Sequence, residues 1–350
     1  MRVSRGAGAA RRFGAFVLAS GLALTATWLL SPARRGAEAD GATATAVQAR
    51  VAGTPPPKSG YFHLRGAGTW NVLPGGRACA AKVHRSNWEP RPLNHVPNGV
   101  IPGRAKVRAA FAARPRAVDG SYAARWDTWL LPRVSGAYTG KTDEIFQWAA
   151  CKWGLPDNLL RAIAVRESTW YQYPTYTSGA CVVNWGCGDI FDAAIESSLQ
   201  YCDGIAKIGG YDYQDDFSPG ICPKTFSIAG VMSWEDPSWG PMPGNQNGTF
   251  PFNRNSTAFA VDYLGSDLRG CIEGWERWLV DGTGFKGLSA KDRMWGCVGA
   301  WYAGEWHSAA ADGYIARVRR AWRDHVWRKP VFATIRPPCA SAGGCVSGAG

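Results

Sequence analysis

The stretch from Leu155 to Trp170, LPDNLLRAIAVRESTW, constrains this chain most, because its apolar residues recur at helical spacing and a carboxylate closes the row. Leu160, Ile163, Ala164 and Glu167 stand at i, i+3, i+4 and i+7, one face of a helix. Pro156 suits the first helical turn, where its missing N–H is no loss, and Asp157 suits the positive helix end. The stripe is expected to face a core, with Glu167 at its end. A buried carboxylate is disfavoured as an anion, so the pKa of Glu167 is expected to rise. A carboxylic acid still protonated near neutral pH is what cleavage of a glycosidic bond asks of its general acid. The competing role for Glu167 is structural, as partner of an arginine or cap of a neighbouring helix.

The 350 residues suffice for one large domain or two small ones, and 46% hydrophobic against 19% charged residues excludes a disordered chain. Eighteen tryptophans fill cores, and some such rings line sites that stack on sugar faces. The ten cysteines, Cys79, Cys151, Cys181, Cys187, Cys202, Cys222, Cys271, Cys297, Cys339 and Cys345, are even in number and point to disulfides in an exported chain. Without a CxxC pair and with five scattered histidines, no metal site is expected, and no cofactor. The formal charge of +12 fits anionic wall polymers as partners; nucleic acid is not expected.

Taken in order, residues 1–39 read as a signal peptide or membrane anchor. Basic residues up to Arg11 and Arg12 precede the uncharged run 13–30, and Ala37-Glu38-Ala39 offers a cleavage site. Cleavage there yields a protein secreted to the cell wall; without it, residues 13–30 hold the protein to the membrane. Residues 40–60 read as a Pro-rich linker, solvated around Thr54-Pro55-Pro56-Pro57. Residues 61–137, rich in Gly, Pro, Arg and Asn, read as an irregular N-terminal extension that packs on something else. From 138 to 328 the pattern is mainly α, without alternating strand patterns. Thr142 is expected to cap a helix ending at Gly154, Ser256 to cap one over Phe259 to Leu268, and Cys271 to Val280 to form another. Further helices are expected from about Ala290 to Tyr302 and from about Asp312. The last has an apolar face, Ile315, Val318, Trp322 and Val326, and a basic one, Arg317, Arg319, Arg320 and Arg323. Residues 171–224 hold four cysteines in what reads as a disulfide-pinned loop, and 329–350 read as a tail in which Cys339 and Cys345 close a small loop.

Three segments then line up. LLRAIAVRESTW, residues 159–170, resembles the helix of lytic transglycosylases and goose-type lysozymes that ends in Glu-Ser and a large residue. TFSIAGVM, residues 225–232, is similar to that family's second motif, and AWYAG, residues 300–304, with GYIARV, residues 313–318, to its Ala-Tyr-Asn-Ala-Gly and late tyrosine elements. The likeness is strongest to secreted actinobacterial proteins of this group and covers about 138–328. It implies a lysozyme-like helical domain that cleaves the β-1,4 bond between N-acetylmuramic acid and N-acetylglucosamine in peptidoglycan glycan strands. It implies Glu167 as catalytic acid and base, Ser168 orienting it, Ser227, Gly230 and Met232 lining the cleft floor, and Tyr314 beside the carboxylate. The chain departs from the pattern at Ser233, where the family has Gln, and at Trp301 and Tyr302, where it has Tyr and Asn.

A hydrolase of this kind needs a second carboxylate, whereas a lytic transglycosylase lets the 6-hydroxyl of the sugar attack and needs one group only. Asp189 is the leading second carboxylate, with a turn residue as its plainer role; Glu305 and Glu235 follow. The alternatives to a transglycosylase are a lysozyme-type hydrolase, a hydrolase of chitin or chitosan, and a wall-binding protein without activity on the same fold.

Overall fold

The computed structural model describes residues 53–113, 122–172, 225–232 and 247–334, and the backbone of 190–191 and 222–223; all belong to the unit Gln48–Gly350. The protein is mainly helical. Six of the described helices have ten residues or more: α1 (Arg104–Ala113), α2 (Thr142–Trp153), α3 (Asp157–Ser168), α4 (Thr257–Ile272), α5 (Ala290–Ala303) and α6 (Ala309–Arg323). Their ends follow local chemistry. Ser256, Ser289 and Ser308 cap α4, α5 and α6, their hydroxyls accepting from the N–H groups of Phe259, Asp292 and Ala311. Gly154 and Gly304 stop α2 and α5 in the left-handed conformation.

Several boundaries differ from the sequence reading. Lys141, not Thr142, is the N-cap of α2, because Glu144 at the third position accepts from the Lys141 N–H at 3.3 Å while the Thr142 N–H turns to Glu89. Pro156 precedes α3 as its N-cap. Helix α4 runs on through Cys271, and Gly274 at φ 77° breaks the chain before a short turn, Arg277–Val280. Short strands also occur: β1 (Ile190–Phe191) pairs antiparallel with β2 (Cys222–Pro223), and β3 (Thr225–Phe226) with β4 (Val231–Met232). Two-residue strands are too short to leave an alternating pattern.

Five helices close a ring: α2 packs on α3 and α4, α3 on α6, α6 on α5, and α5 on α4. Apolar faces meet inside it, with Ile145, Leu160, Ile163, Leu264, Val298 and Val318 all fully buried. Every residue of α2 is buried, and α4 is nearly so. The cause is the N-terminal extension, which covers their outer faces. The Trp148 indole donates to the Gly76 carbonyl at 2.9 Å, Phe111 of α1 stacks on Phe259 and Tyr263, and Cys79 is bonded to Cys151. A second disulfide, Cys271–Cys297, ties α4 to α5. In secreted domains such closures stabilise by about 2–4 kcal/mol each. The side chains of the other six cysteines lie outside the described residues, and so do 1–52 with the run 13–30. No helix among the described residues is long and apolar enough to cross a membrane.

The Pro-rich stretch is not a free linker up to residue 60. Pro56 is buried, the Lys58 carbonyl accepts from Asn158 at 2.8 Å, and the N–H groups of Tyr61 and Phe62 donate to the Asp157 carboxylate. Nor does the tail begin at 329, since Phe332 of the turn Pro330–Thr334 is fully buried. Arg91 holds these ends together: its Nε donates to the Thr169 carbonyl at 2.8 Å and its Nη1 to the Phe332 carbonyl at 2.7 Å, with the guanidinium over the Tyr171 and Phe332 rings. Burial lowers its pKa to about 10, so it remains charged at neutral pH.

Buried ions brace the ring. Arg161, fully buried, donates from Nε to Asp143 and from Nη1 to Asp157, both at 2.7 Å, and to Asn158. Lys152 meets Asp262 at 2.6 Å, and the Trp153 indole donates to the same carboxylate. A different pair is under-compensated. Burial raises half-buried Asp267 from 3.8 to about 7, and burial together with the charge on Asp267 raises Glu276 well above 4.5. Because these folded-state values exceed the unfolded ones, the stability they confer is complete at low pH and lost as pH rises through about 7. The melting temperature is therefore expected to fall between about pH 4 and about pH 7 at constant ionic strength, and Asp267→Asn to flatten that fall. Partial exposure of Asp267 moderates the size of the effect. An unchanged slope in the variant would refute this assignment.

Candidate active site

Helix α3 ends abruptly. Thr169 and Trp170 both take positive φ, 51° and 70°, and their N–H groups close on Val165 and Ala164. The buried Trp170 ring makes this possible, wedged among Trp88, Phe146 and Phe332 with its indole donating to the Arg161 carbonyl at 2.9 Å. Glu167 thus sits in the last turn of a helix that goes no further. Leu160, Ile163 and Ala164 are fully buried, but Glu167 is only half-buried. The stripe points inward and its final member reaches the rim, where a solute can meet it.

The hairpin β3–β4 docks against this end. Phe226 pairs with Val231, and the turn 227–230 closes with the Gly230 N–H on the Ser227 carbonyl at 3.2 Å. Ser227 lies at φ 78°, a conformation that costs a non-glycine residue about 1–3 kcal/mol and persists only when its surroundings impose it. They do. The Ser168 hydroxyl donates to the Ile228 carbonyl at 3.0 Å, and the Ile228 N–H donates to Gln172 Oε1 at 3.3 Å. Gln172 in turn donates to the carbonyls of Asn253 and Arg254, and Asn253 to that of Val231. Half-buried Met232 is held through its carbonyl by Asn247 and Thr249.

This docking brings Gly230, at φ 64°, against the glutamate. A Cβ at Gly230 would overlap Oε2 of Glu167 and lie 2.9 Å from its Cδ. Glycine is required twice there, by the backbone and by the close approach. Gly230→Ala is expected to lose about 1–2 kcal/mol to strain. Any cleavage activity that runs through Glu167 should fall about 100-fold as the carboxylate is displaced. Melting temperature and turnover measured on one preparation check both; unchanged turnover would show that the close approach has no part in the site.

On the other side, the Tyr314 hydroxyl of α6 donates to Oε1 of Glu167. Tyr314 is 2% exposed, and burial followed by the Glu167 charge raises its pKa well above 10, so it stays protonated as the donor. Tyr302 of α5, 46% exposed, stacks on Tyr314 with centroids 4.6 Å apart and planes 2° from parallel. Of the two oxygens of Glu167, Oε1 accepts from the phenol and Oε2 lies against Gly230.

The structure thus brings together Glu167, Ser168, Ser227, Gly230, Tyr302 and Tyr314. Ser168, however, holds the hairpin through Ile228 and donates nothing to the carboxylate, which corrects the role implied for it. Half-buried Trp301 packs against the core, one residue before the ring that meets Tyr314. Glu305 is exposed; Asp189 and Glu235 lie outside the described residues. The charge of Glu167 acts on both Tyr314 and Arg166. Gln172 and Asn253 escaped the sequence reading, and Arg317, read there only as part of a basic face, has its guanidinium over both tyrosine rings. The spacing of Arg317 from Tyr314, one helical turn, was the available signal. Among the described residues no cluster of His, Cys, Asp and Glu could hold a metal ion.

Comparison with protein-family models, with curated proteins and with solved structures gives no match.

Proposed function

We propose that this protein is an exported lytic transglycosylase with a lysozyme-like fold, cleaving the β-1,4 bond between N-acetylmuramic acid and N-acetylglucosamine in peptidoglycan. One observation carries the reading. Three segments far apart in sequence, ending in Glu167, Gly230 and Tyr314, converge on one half-buried carboxyl group. The chemistry asks for little more. Protonated Glu167 gives its proton to the glycosidic oxygen as the bond to the anomeric carbon breaks. The resulting carboxylate takes the proton of the sugar's 6-hydroxyl while that oxygen bonds to the anomeric carbon, giving a 1,6-anhydro end and consuming no water. Tyr314 keeps the carboxyl oriented through both steps, and the hairpin floor, Ser227 to Met232, fixes its distance from the strand.

The two described disulfides fit an oxidising compartment, which supports export to the cell wall. Glycan strands are the partner, and neither metal nor cofactor enters the scheme. Mass spectrometry of purified wall after incubation tests the reading. Anhydro-ended fragments are expected; reducing ends, heavier by one water, would instead make it a hydrolase, and no released fragments would leave a binding protein.

A further inference from the structure

Helix α6 carries Tyr314, Arg317 and Arg320 at successive steps of three, so the two arginines follow the tyrosine along one side. Arg317 is half-buried, its guanidinium 5.5 Å from the Tyr302 ring centre and 5.7 Å from that of Tyr314. Arg166, next to Glu167 on α3, feels the charges of Arg317 and Arg320. Its pKa is lowered first by burial, then by the charge of Arg317, and also by that of Arg320. The charges of three guanidinium groups therefore act together on the flank of the site around Glu167 and Tyr314.

Elsewhere the fold compensates such groups. Arg161 has Asp143 and Asp157, and Arg269 has Glu273. Arg317 and Arg320 have no carboxylate in ion-pair reach among the described residues, although Arg323 on the same helix pairs with Asp324. Uncompensated like charges raise the local concentration of anions and reward a ligand that neutralises them. The exposed Tyr302 ring adds a flat apolar platform at the same place.

Resting on the function proposed above, we infer that Arg317 and Arg320 bind a carboxylate carried by the sugar next to the bond that Glu167 cleaves, while that sugar lies against Tyr302. The arginines are then what separates acid-bearing strands from neutral ones of the same backbone. Guanidinium forks suit a carboxylate, through paired N–H donors. A phosphodiester of a wall polymer offers similar acceptor oxygens, so the experiment keeps the two sources apart.

The test is binding of soluble glycan fragments to the Glu167→Gln protein, which does not consume them. Fragments with free carboxyl groups are compared with the same fragments after amidation. The free-acid form is expected to bind about tenfold or more tightly, and Arg317→Gln with Arg320→Gln to reduce that ratio to within about twofold. Arg320→Gln alone, at an exposed position, keeps the fold and should give part of the loss; Arg317→Lys should restore part of it. A ratio near one before substitution, or one that survives both substitutions, would overturn the inference. So would binding to whole wall that vanishes when phosphate polymers are stripped, since the ligand would then be the phosphodiester. Cleavage of wall by the parent is read separately. Arginine-dependent binding without released fragments would sink the transglycosylase and keep the arginine site, and cleavage with a ratio of one would do the reverse.

Discussion

On the proposed function, Glu167→Gln should abolish cleavage of peptidoglycan and leave the fold intact. Gln keeps the volume of the side chain, and its amide oxygen can still accept from the Tyr314 hydroxyl. The tight fit against Gly230 survives because no atom is added. What disappears is the capacity to give and take a proton. General acid–base groups contribute about 100- to 10,000-fold, and one that serves as both acid and base belongs at or above the upper end. The structural alternative makes the opposite forecast. If Glu167 were there to satisfy a buried cation, its loss would cost about 3–5 kcal/mol and the melting temperature would drop while activity of the folded fraction persisted. The fully buried cation of this helix, Arg161, already has Asp143 and Asp157. Release of wall fragments and thermal unfolding should be recorded on the same sample. A stably folded variant within about tenfold of the parent rate would remove Glu167 from the mechanism.

Arg161→Met is the complementary experiment, with its largest effect on stability. Arg161 is on the same helix, two turns from Glu167, and it is fully buried between two carboxylates. Methionine fills much of the same space but strands both anions. Asp157 would retain the N–H groups of Tyr61 and Phe62, and Asp143 the amide of Gln147, but neither would keep a cation. Removing one member of a buried ion group costs about 3–5 kcal/mol. For a domain of this size that corresponds to a fall in melting temperature of about 10 °C. Arg323→Met is the matched control. Its pair with Asp324 is largely solvent-exposed, and such pairs contribute about 0–1 kcal/mol. If the two substitutions proved equally mild, the ion network would have no part in holding α3.

Much of this was legible in the chain itself. The helices announced themselves through apolar spacing and through Ser256 and Gly154 at their ends. Glu167 and Tyr314 could be picked out because the former ends an apolar stripe and the latter stands in a recognisable motif. Other features could not be read. Lys152 and Asp262 are polar residues inside α2 and α4, and from sequence they mark an exposed face; the N-terminal extension buries them, and its own residues show no periodicity because the helices supply the order. The belt from Gln172 to Asn253 links positions 81 residues apart through a side chain and a backbone carbonyl, which no local pattern reports. Pro56 suggested a solvated linker because composition alone says nothing of the groove into which a stretch is laid. The departure from the expected Ser168 role has the same origin. A hydroxyl next to a carboxylate in sequence points elsewhere on a helix, and here it reaches the hairpin.

Arg91 bears on when the site can exist at all. Its guanidinium joins the carbonyl of Thr169, just past Glu167, to that of Phe332, which lies 241 residues beyond Arg91 itself. The reversed backbone at Thr169 and Trp170 is therefore clamped from both sides, by a segment that is made early and one that is made late. Along the chain, Glu167 precedes by 165 residues the Phe332 that completes this clamp. The clamp on the end of α3 is complete only with the turn around Phe332 in place. The site around Glu167 is therefore completed by nearly the whole length of the chain, not by its own helix alone.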